Sequence, residues 1–151
     1  MPDFLRLTAK PDTDGTTELL AEVTSSGFCG QGAAWFNLSE LEQFSVHLAD
    51  TYPLLESEPL AIRGGFWSKT TPAVLEQEHL GIEFYPIGLR GELGCRIHLA
   101  TPLYEHDRSK SQHSVAVELK TSYEEVKVFS HLLIKLVRGE NSEAILHAVQ
   151  V

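Results

Sequence analysis

The sequence predicts an α+β fold built of antiparallel β-meanders, six to seven strands in all, with two main amphipathic helices and a short C-terminal helix. Three observations carry this expectation. Apolar and β-branched residues alternate with polar ones over several short runs, separated by Asp-Gly and Gly-rich turn signals. Two segments, residues 41–48 and 126–137, instead repeat apolar residues at helical spacing behind a Ser or Thr. The length of 151 residues and a hydrophobic content of 42% suffice for one substantial core, so residues 1–151 are read as a single domain.

Residues 4–9 and 17–25 form the first two strands, joined by Pro11-Asp12-Thr13-Asp14-Gly15, whose Asp-Gly pair marks a hairpin turn. Ser25-Ser26-Gly27 breaks the chain before a third strand at residues 28–36. There Gly30 and Gly32 signal a bulge or a close backbone approach, and Phe28, Trp35 and Phe36 are expected in the core. Ser39-Glu40-Leu41-Glu42 reads as a capping box for the first helix, which buries Leu41, Phe44 and Leu48 until Tyr52-Pro53 stops it.

Residues 60–67 make a short strand interrupted at Gly64-Gly65, and residues 68–78 a loop. Leu80, Ile82 and Phe84 then alternate with polar or small neighbours. A turn with its tip at Leu89-Arg90 leads to a second such run at Leu93, Cys95, Ile97 and Leu99, and a polar loop over residues 101–112 leads to a third at Val115, Val117 and Leu119. This register sets Phe84 opposite Cys95 and Ile82 opposite Ile97, and it places Arg96 between Glu83 and Glu118 on the outer face. The second helix starts at Thr121 or Ser122, with Glu124 or Glu125 as capping partner. It buries Val126, Phe129, Leu133, Leu136 and Val137 and ends at Gly139. Asn141 is expected to cap a short final helix through Glu143, Ala144, Ile145, Leu146 and Val149.

The two helical segments echo one another. Glu42-Gln43-Phe44-Ser45-Val46-His47-Leu48 and Lys127-Val128-Phe129-Ser130-His131-Leu132 each follow a β-meander and a Ser or Thr cap. Duplication of a strand, strand, strand, helix unit produces such an echo, and so does the constraint common to all amphipathic helices.

Charge is segregated along the chain. Between Lys10 and Arg63 there is no Lys or Arg but there are nine acids, Asp12, Asp14, Glu18, Glu22, Glu40, Glu42, Asp50, Glu56 and Glu58. The other residues balance, which leaves the net charge of −9 in this segment. Such a field disfavours nucleic acid, whose phosphates need clustered bases, and favours encounter with a basic protein. No run reaches the roughly 18 apolar residues that cross a bilayer, and no leader pattern opens the chain, so a cytoplasmic protein without membrane contact is expected. Cys29 and Cys95 are far apart and form no Cys-x-x-Cys motif; both are expected to be buried thiols.

Motifs for chemistry are weak. Asp12-Thr13-Asp14-Gly15 lacks the ligand spacing and flanking helices of a calcium loop and reads as a plain turn. Gly27-x-x-Gly30-x-Gly32 has neither the Lys of a phosphate loop nor the acidic residue of a dinucleotide fold. Glu105, His106, Asp107 and His113 form the one local set of metal-ligand types, in a long polar loop. They motivate an alternative reading as a metal-dependent or small-ligand enzyme. No catalytic residue, metal ligand or cofactor is assigned. The leading expectation is a non-enzymatic binding protein that engages a basic protein partner through Glu40, Glu42, Asp50, Glu56 and Glu58. A third reading is a homodimer in which the acidic face of the first helix meets Lys127, Lys135 and Arg138 of a second copy.

The pattern Gly30-x-Gly32-x-x-Trp35-Phe36-x-Leu38-x-x-Leu41-x-x-Phe44-x-x-x-Leu48, followed by a meander and the Phe-centred helix at residues 126–137, resembles small bacterial α+β domains, some of them grouped with immunity proteins of toxin systems. The resemblance covers most of the chain in element order. It implies neutralisation of a toxin by binding, many such domains presenting acidic surfaces to basic nuclease toxins. Its motifs are hydrophobic spacings, so it carries over no binding residue.

Overall fold

The computed structural model describes residues 2–149. Eight strands and two helices follow in the order β1 (Phe4–Pro11), β2 (Thr16–Ser25), β3 (Phe28–Asn37), α1 (Leu38–Asp50), β4 (Leu60–Trp67), β5 (Leu75–Ile87), β6 (Glu92–Ala100), β7 (Ser114–Ser122), α2 (Tyr123–Val137) and β8 (Ala144–His147). They form two antiparallel four-stranded sheets, β3-β2-β1-β8 and β4-β5-β6-β7. Alternation sets the inward face of each strand. Leu5 and Leu7, Leu19, Ala21 and Val23, and Leu80, Ile82 and Phe84 are all buried, and they join the stripes of both helices in one apolar cluster. Phe84 lies near its middle, with ring centroids 6.4 Å from Phe44 and 6.1 Å from Phe129.

The turns follow from residue chemistry. Ser26 and Gly27, with φ of 51° and 85°, join β2 to β3 in the left-handed region that a two-residue hairpin requires. Asp12 and Asp14 serve the first turn. Asp12 Oδ1 accepts from the Thr13 amide at 2.7 Å, Asp14 Oδ1 accepts from the Thr16 amide at 3.1 Å and from the Thr16 hydroxyl, and the Asp12 amide donates to the Thr16 carbonyl. The Thr16 bonds hold the Asp14 carboxyl below its usual range.

Four expectations are corrected. The final segment is a strand, because Leu5 and Leu7 of β1 offer a free edge that Leu146 and Ala144 complete in antiparallel register. Asn141 caps no helix; its side chain donates to the Leu132 carbonyl of α2 at 3.3 Å. Ser39 does not cap α1, which starts one residue earlier at Leu38 with Asn37 in the cap position and no side-chain cap. The Leu38 amide is satisfied instead by the Gly15 carbonyl of the β1–β2 turn at 2.9 Å. The expected loop over residues 68–78 ends early, since β5 begins at Leu75. At α2 the cap is Ser122, whose hydroxyl accepts from the Glu125 amide at 3.2 Å.

The sheet order has an internal regularity. β1-β2-β3-α1-β4 and β5-β6-β7-α2-β8 have the same element order, and the sheets, written β3-β2-β1-β8 and β7-β6-β5-β4, correspond strand for strand once each unit's last strand is exchanged with the other. The registers carry the match to single residues. They align the buried Leu5 and Leu7 with Leu80 and Ile82, Leu19, Ala21 and Val23 with Cys95, Ile97 and Leu99, and Phe44 and Ser45 with Phe129 and Ser130. Ser45 and Ser130 are both fully buried, and each hydroxyl donates to the carbonyl three residues back, at 2.9 Å and 2.8 Å. The echo between the helices is therefore part of a repeat that runs through the fold.

Glycines mark where the sheets meet. A Cβ on Gly32 of β3 would lie 2.8 Å from the His79 carbonyl oxygen, and one on Gly64 of β4 would lie 2.8 Å from the Phe36 ring. The expected close approach at β3 is thus met, but its aromatics divide. Phe36 is buried, whereas Phe28 and Trp35 are 69% and 52% exposed. The thiols divide too: Cys95 is buried, its pKa pushed up by that burial, and Cys29 is exposed.

Candidate functional site

Glu40, Glu42, Asp50, Glu56 and Glu58 are all exposed, but α1 does not present them as one surface. Leu41, Phe44, Ser45 and Leu48 define its buried side. At about 100° per residue, Glu40 and Glu42 flank that stripe on opposite sides, about 160° apart. The helices run antiparallel. The Tyr123 hydroxyl of α2 accepts from the Leu54 amide just past α1 at 2.8 Å, and Arg138 at the far end of α2 reaches Glu42 at 3.6 Å. One of the five acids is thus paired within the same copy, by a base that the dimer reading assigned to a neighbour. Among the described residues Glu40, Asp50, Glu56 and Glu58 make no ion pair.

Asp50, Glu56 and Glu58 border the connection from α1 to β4, a segment that turns back through a Glu58 amide bond to the Leu55 carbonyl at 3.1 Å. Here Tyr52 and Leu55 are 77% and 50% exposed, although the Tyr52 ring also rests edge-on against Tyr123 at 4.8 Å. Tyr52 and Leu55 are thus exposed in the same connection that carries Glu56 and Glu58 and that follows Asp50, the last residue of α1.

The loop after β6 gathers no ligand set. His106 sits at a positive φ of 77° and is almost wholly exposed, with Glu105 3.8 Å away, while His113 is engaged through its backbone with Thr101. Among the described residues no three His, Cys, Asp or Glu side chains are grouped to hold a metal ion. The outer face of the second sheet is a charged ladder. Arg96 stands opposite Glu83 and Glu118, as the register predicts, yet these carboxylates bond Arg63 and the Tyr85 hydroxyl instead. Burial and the Glu118 carboxylate raise the Tyr85 pKa.

A concavity of about 600 Å³ lies on the outer face of the first sheet, walled by Gly65 and Phe66 of β4, His79 of β5 and the loop after β6. Its floor rows follow from the register: Arg6 with Glu22, Thr8 with Leu20 and Ala33, and Glu18 with Trp35. At one end Arg6 serves two acids, Glu22 at 3.6 Å and Glu143 at 3.1 Å, the latter off the direction of the Nε–H bond. At the other end Glu18 and Trp35 are direct cross-strand neighbours. Lys10 stands opposite Glu18 but forms no ion pair with it.

The far wall is aromatic. Phe66 lies 5.5 Å from Tyr104 and edge-on to His79 at 4.5 Å. Gln77 fixes this wall with both ends of its amide, donating to the Leu103 carbonyl at 2.8 Å and accepting from the Leu103 amide at 3.0 Å. That pairing identifies the Gln77 oxygen, so His79 Nε2, 3.0 Å from it, is the protonated nitrogen. Nδ1 then carries a lone pair with no partner among the described residues. His79 is 3% exposed, and burial lowers its pKa.

From the sequence, Trp35 and Phe66 are aromatics that either line a pocket or fill the core, and Tyr104 opens the loop of the alternative enzyme reading; Glu18, Gln77 and His79 carry no assigned role. The core is the favoured place for Trp35, which is 52% exposed, and Tyr104 lies in the loop expected over residues 101–112. Only the strand register brings Glu18 beside Trp35. Comparison with family models, with curated proteins and with solved structures finds no match to this chain.

Proposed function

We propose that the protein is a binding protein for a basic protein partner, docked at the connection between α1 and β4. The observation that carries this reading is the α1–β4 connection, in which Tyr52 and Leu55 are exposed and Asp50, Glu56 and Glu58 make no ion pair within the described residues. Tyr is a frequent interface anchor, and unpaired acids near it in the chain accelerate encounter with a cationic surface. The net charge of −9 supplies the long-range part of that attraction, to which Glu40 and Glu42 at the other end of α1 contribute without contact. The resemblance to toxin-immunity domains makes a cationic toxin the kind of partner to try first.

The test uses binding kinetics against a purified basic partner. Reversing Asp50, Glu56 and Glu58 to Lys lowers the association rate by about tenfold or more at low salt and flattens its salt dependence. Tyr52→Ala raises the dissociation rate instead. Association rates and salt slopes that survive the triple reversal refute the proposal.

A further inference from the structure

The two exchanged units give the molecule two equivalent outer faces, and their chemistry has diverged. The registers align the row Thr8, Leu20, Ala33 of the first sheet with Glu83, Arg96, Glu118 of the second. In the second sheet that row is filled by long charged side chains tied to Arg63 and Tyr85, and a depression of only about 250 Å³ remains there. In the first sheet the same row is short and uncharged, and the cleft of about 600 Å³ opens over it. A volume of this size lies in the range of small-molecule sites, and a floor cleared of charge with an aromatic wall is what such a ligand buries against.

The charge around the cleft selects its sign. The charged residues that line it are Arg6, Glu22 and Glu18; Arg6 pairs with Glu22 and with Glu143 beyond the lining, and Glu18 stands opposite Lys10 of β1 without an ion pair among the described residues. An anion would meet two lining carboxylates, Glu18 and Glu22, against one lining base, Arg6; a cation would meet the Glu18 carboxylate beside the half-exposed Trp35. Carboxylate and indole side by side attract an ammonium group by ion pairing and by the ring quadrupole together. His79 lines the same cleft, its ring held through Nε2 by the Gln77 oxygen.

We propose that the cleft on the outer face of the first sheet binds a small organic amine, its ammonium between Glu18 and Trp35 and its apolar body against Phe66 and Tyr104. This site is separate from the α1–β4 connection, and neither proposal depends on the other. The probes are phenethylamine, the matching anion phenylacetate, and a short lysine-containing peptide, titrated into labelled protein while amide shifts are followed by NMR. Phenethylamine shifts the amides of Thr8, Leu20 and Ala33 at up to millimolar concentration, and phenylacetate binds about tenfold more weakly or not at all.

Glu18→Gln and Trp35→Ala each weaken phenethylamine binding by about tenfold. Glu18 and Trp35 lie on the outer face, so an unchanged circular dichroism spectrum checks that the fold is retained, and Glu58→Gln leaves amine binding as it was. Equal binding of amine and anion overturns the proposal, as does a Glu18→Gln variant with full affinity or an absence of shifts at the three floor amides. Binding of the lysine peptide without phenethylamine also overturns it, since the cleft would then serve a macromolecular partner.

Discussion

Because each sheet takes its fourth strand from the other unit, damage to β8 should loosen both sheets at once. Leu146 tests this. It is fully buried, pairs with Leu5 across the ladder, and belongs to a strand of only four residues. Truncating a buried Leu to Ala removes its transfer free energy and leaves a cavity, at a cost of about 2–5 kcal/mol. The upper half of that range applies where a site cannot collapse, and β8 is held at both ends, by the Asn141 bond to α2 and by the Val149 amide bond to the Lys120 carbonyl of β7.

Against a total stability of about 5–15 kcal/mol, the loss is large enough to measure by urea unfolding. The two tryptophans report the two sheets separately, Trp35 on β3 and Trp67 on β4, and both are partly exposed. In Trp35→Phe and Trp67→Phe backgrounds, Leu146→Ala is expected to move both fluorescence transitions by the same free energy. A variant that shifts the Trp35 transition and leaves the Trp67 transition in place would show two independent units and refute the coupling.

Ser122→Ala should destabilise the protein by about 1 kcal/mol in the same assay through loss of the α2 cap, whereas Ser39→Ala, inside α1 with no cap bond, should change it by less than about 0.5 kcal/mol. His79 should make stability fall in mild acid. Its native pKa lies below the ordinary value near 6.5, so between the two the unfolded chain binds a proton that the native chain refuses, and stability drops as pH falls through that window. Subtracting the profile of His79→Gln from that of the parent isolates this component, and superimposable profiles would contradict the burial argument.

The fold class, both buried helical stripes and the β5–β6 register were legible because each rests on a local period or a local turn. Leu89-Arg90 fixes the pairing of Phe84 with Cys95 without reference to any distant residue. β8 was misread because Ala144-Ile145-Leu146 is too short for its period to separate strand from helix, and what decides is the edge of β1, almost the whole chain away. Ser39 failed as a cap for a similar reason, since the Gly15 carbonyl reaches the helix start through the tertiary fold. The repeat was visible only as an echo at Phe44-Ser45 and Phe129-Ser130, because most equivalent positions share burial and not identity, as Ala21 and Ile97 do.

The candidate sites divide along the same line. Acids can be counted in a sequence, and the count leads to α1 and its following loop, but only the helix geometry separates Glu40 from Glu42, and only the structure shows Tyr52 and Leu55 exposed in the connection that carries Glu56 and Glu58. The cleft could not be counted at all. Glu18 and Trp35 become neighbours through the β2–β3 register, and the wall facing them depends on one glutamine, Gln77, gripping the backbone of Leu103. A hollow between a strand face and a loop is a property of what is missing from a row of side chains. Thr8, Leu20 and Ala33 acquire meaning only when set against Glu83, Arg96 and Glu118, the residues that fill the same row on the other sheet.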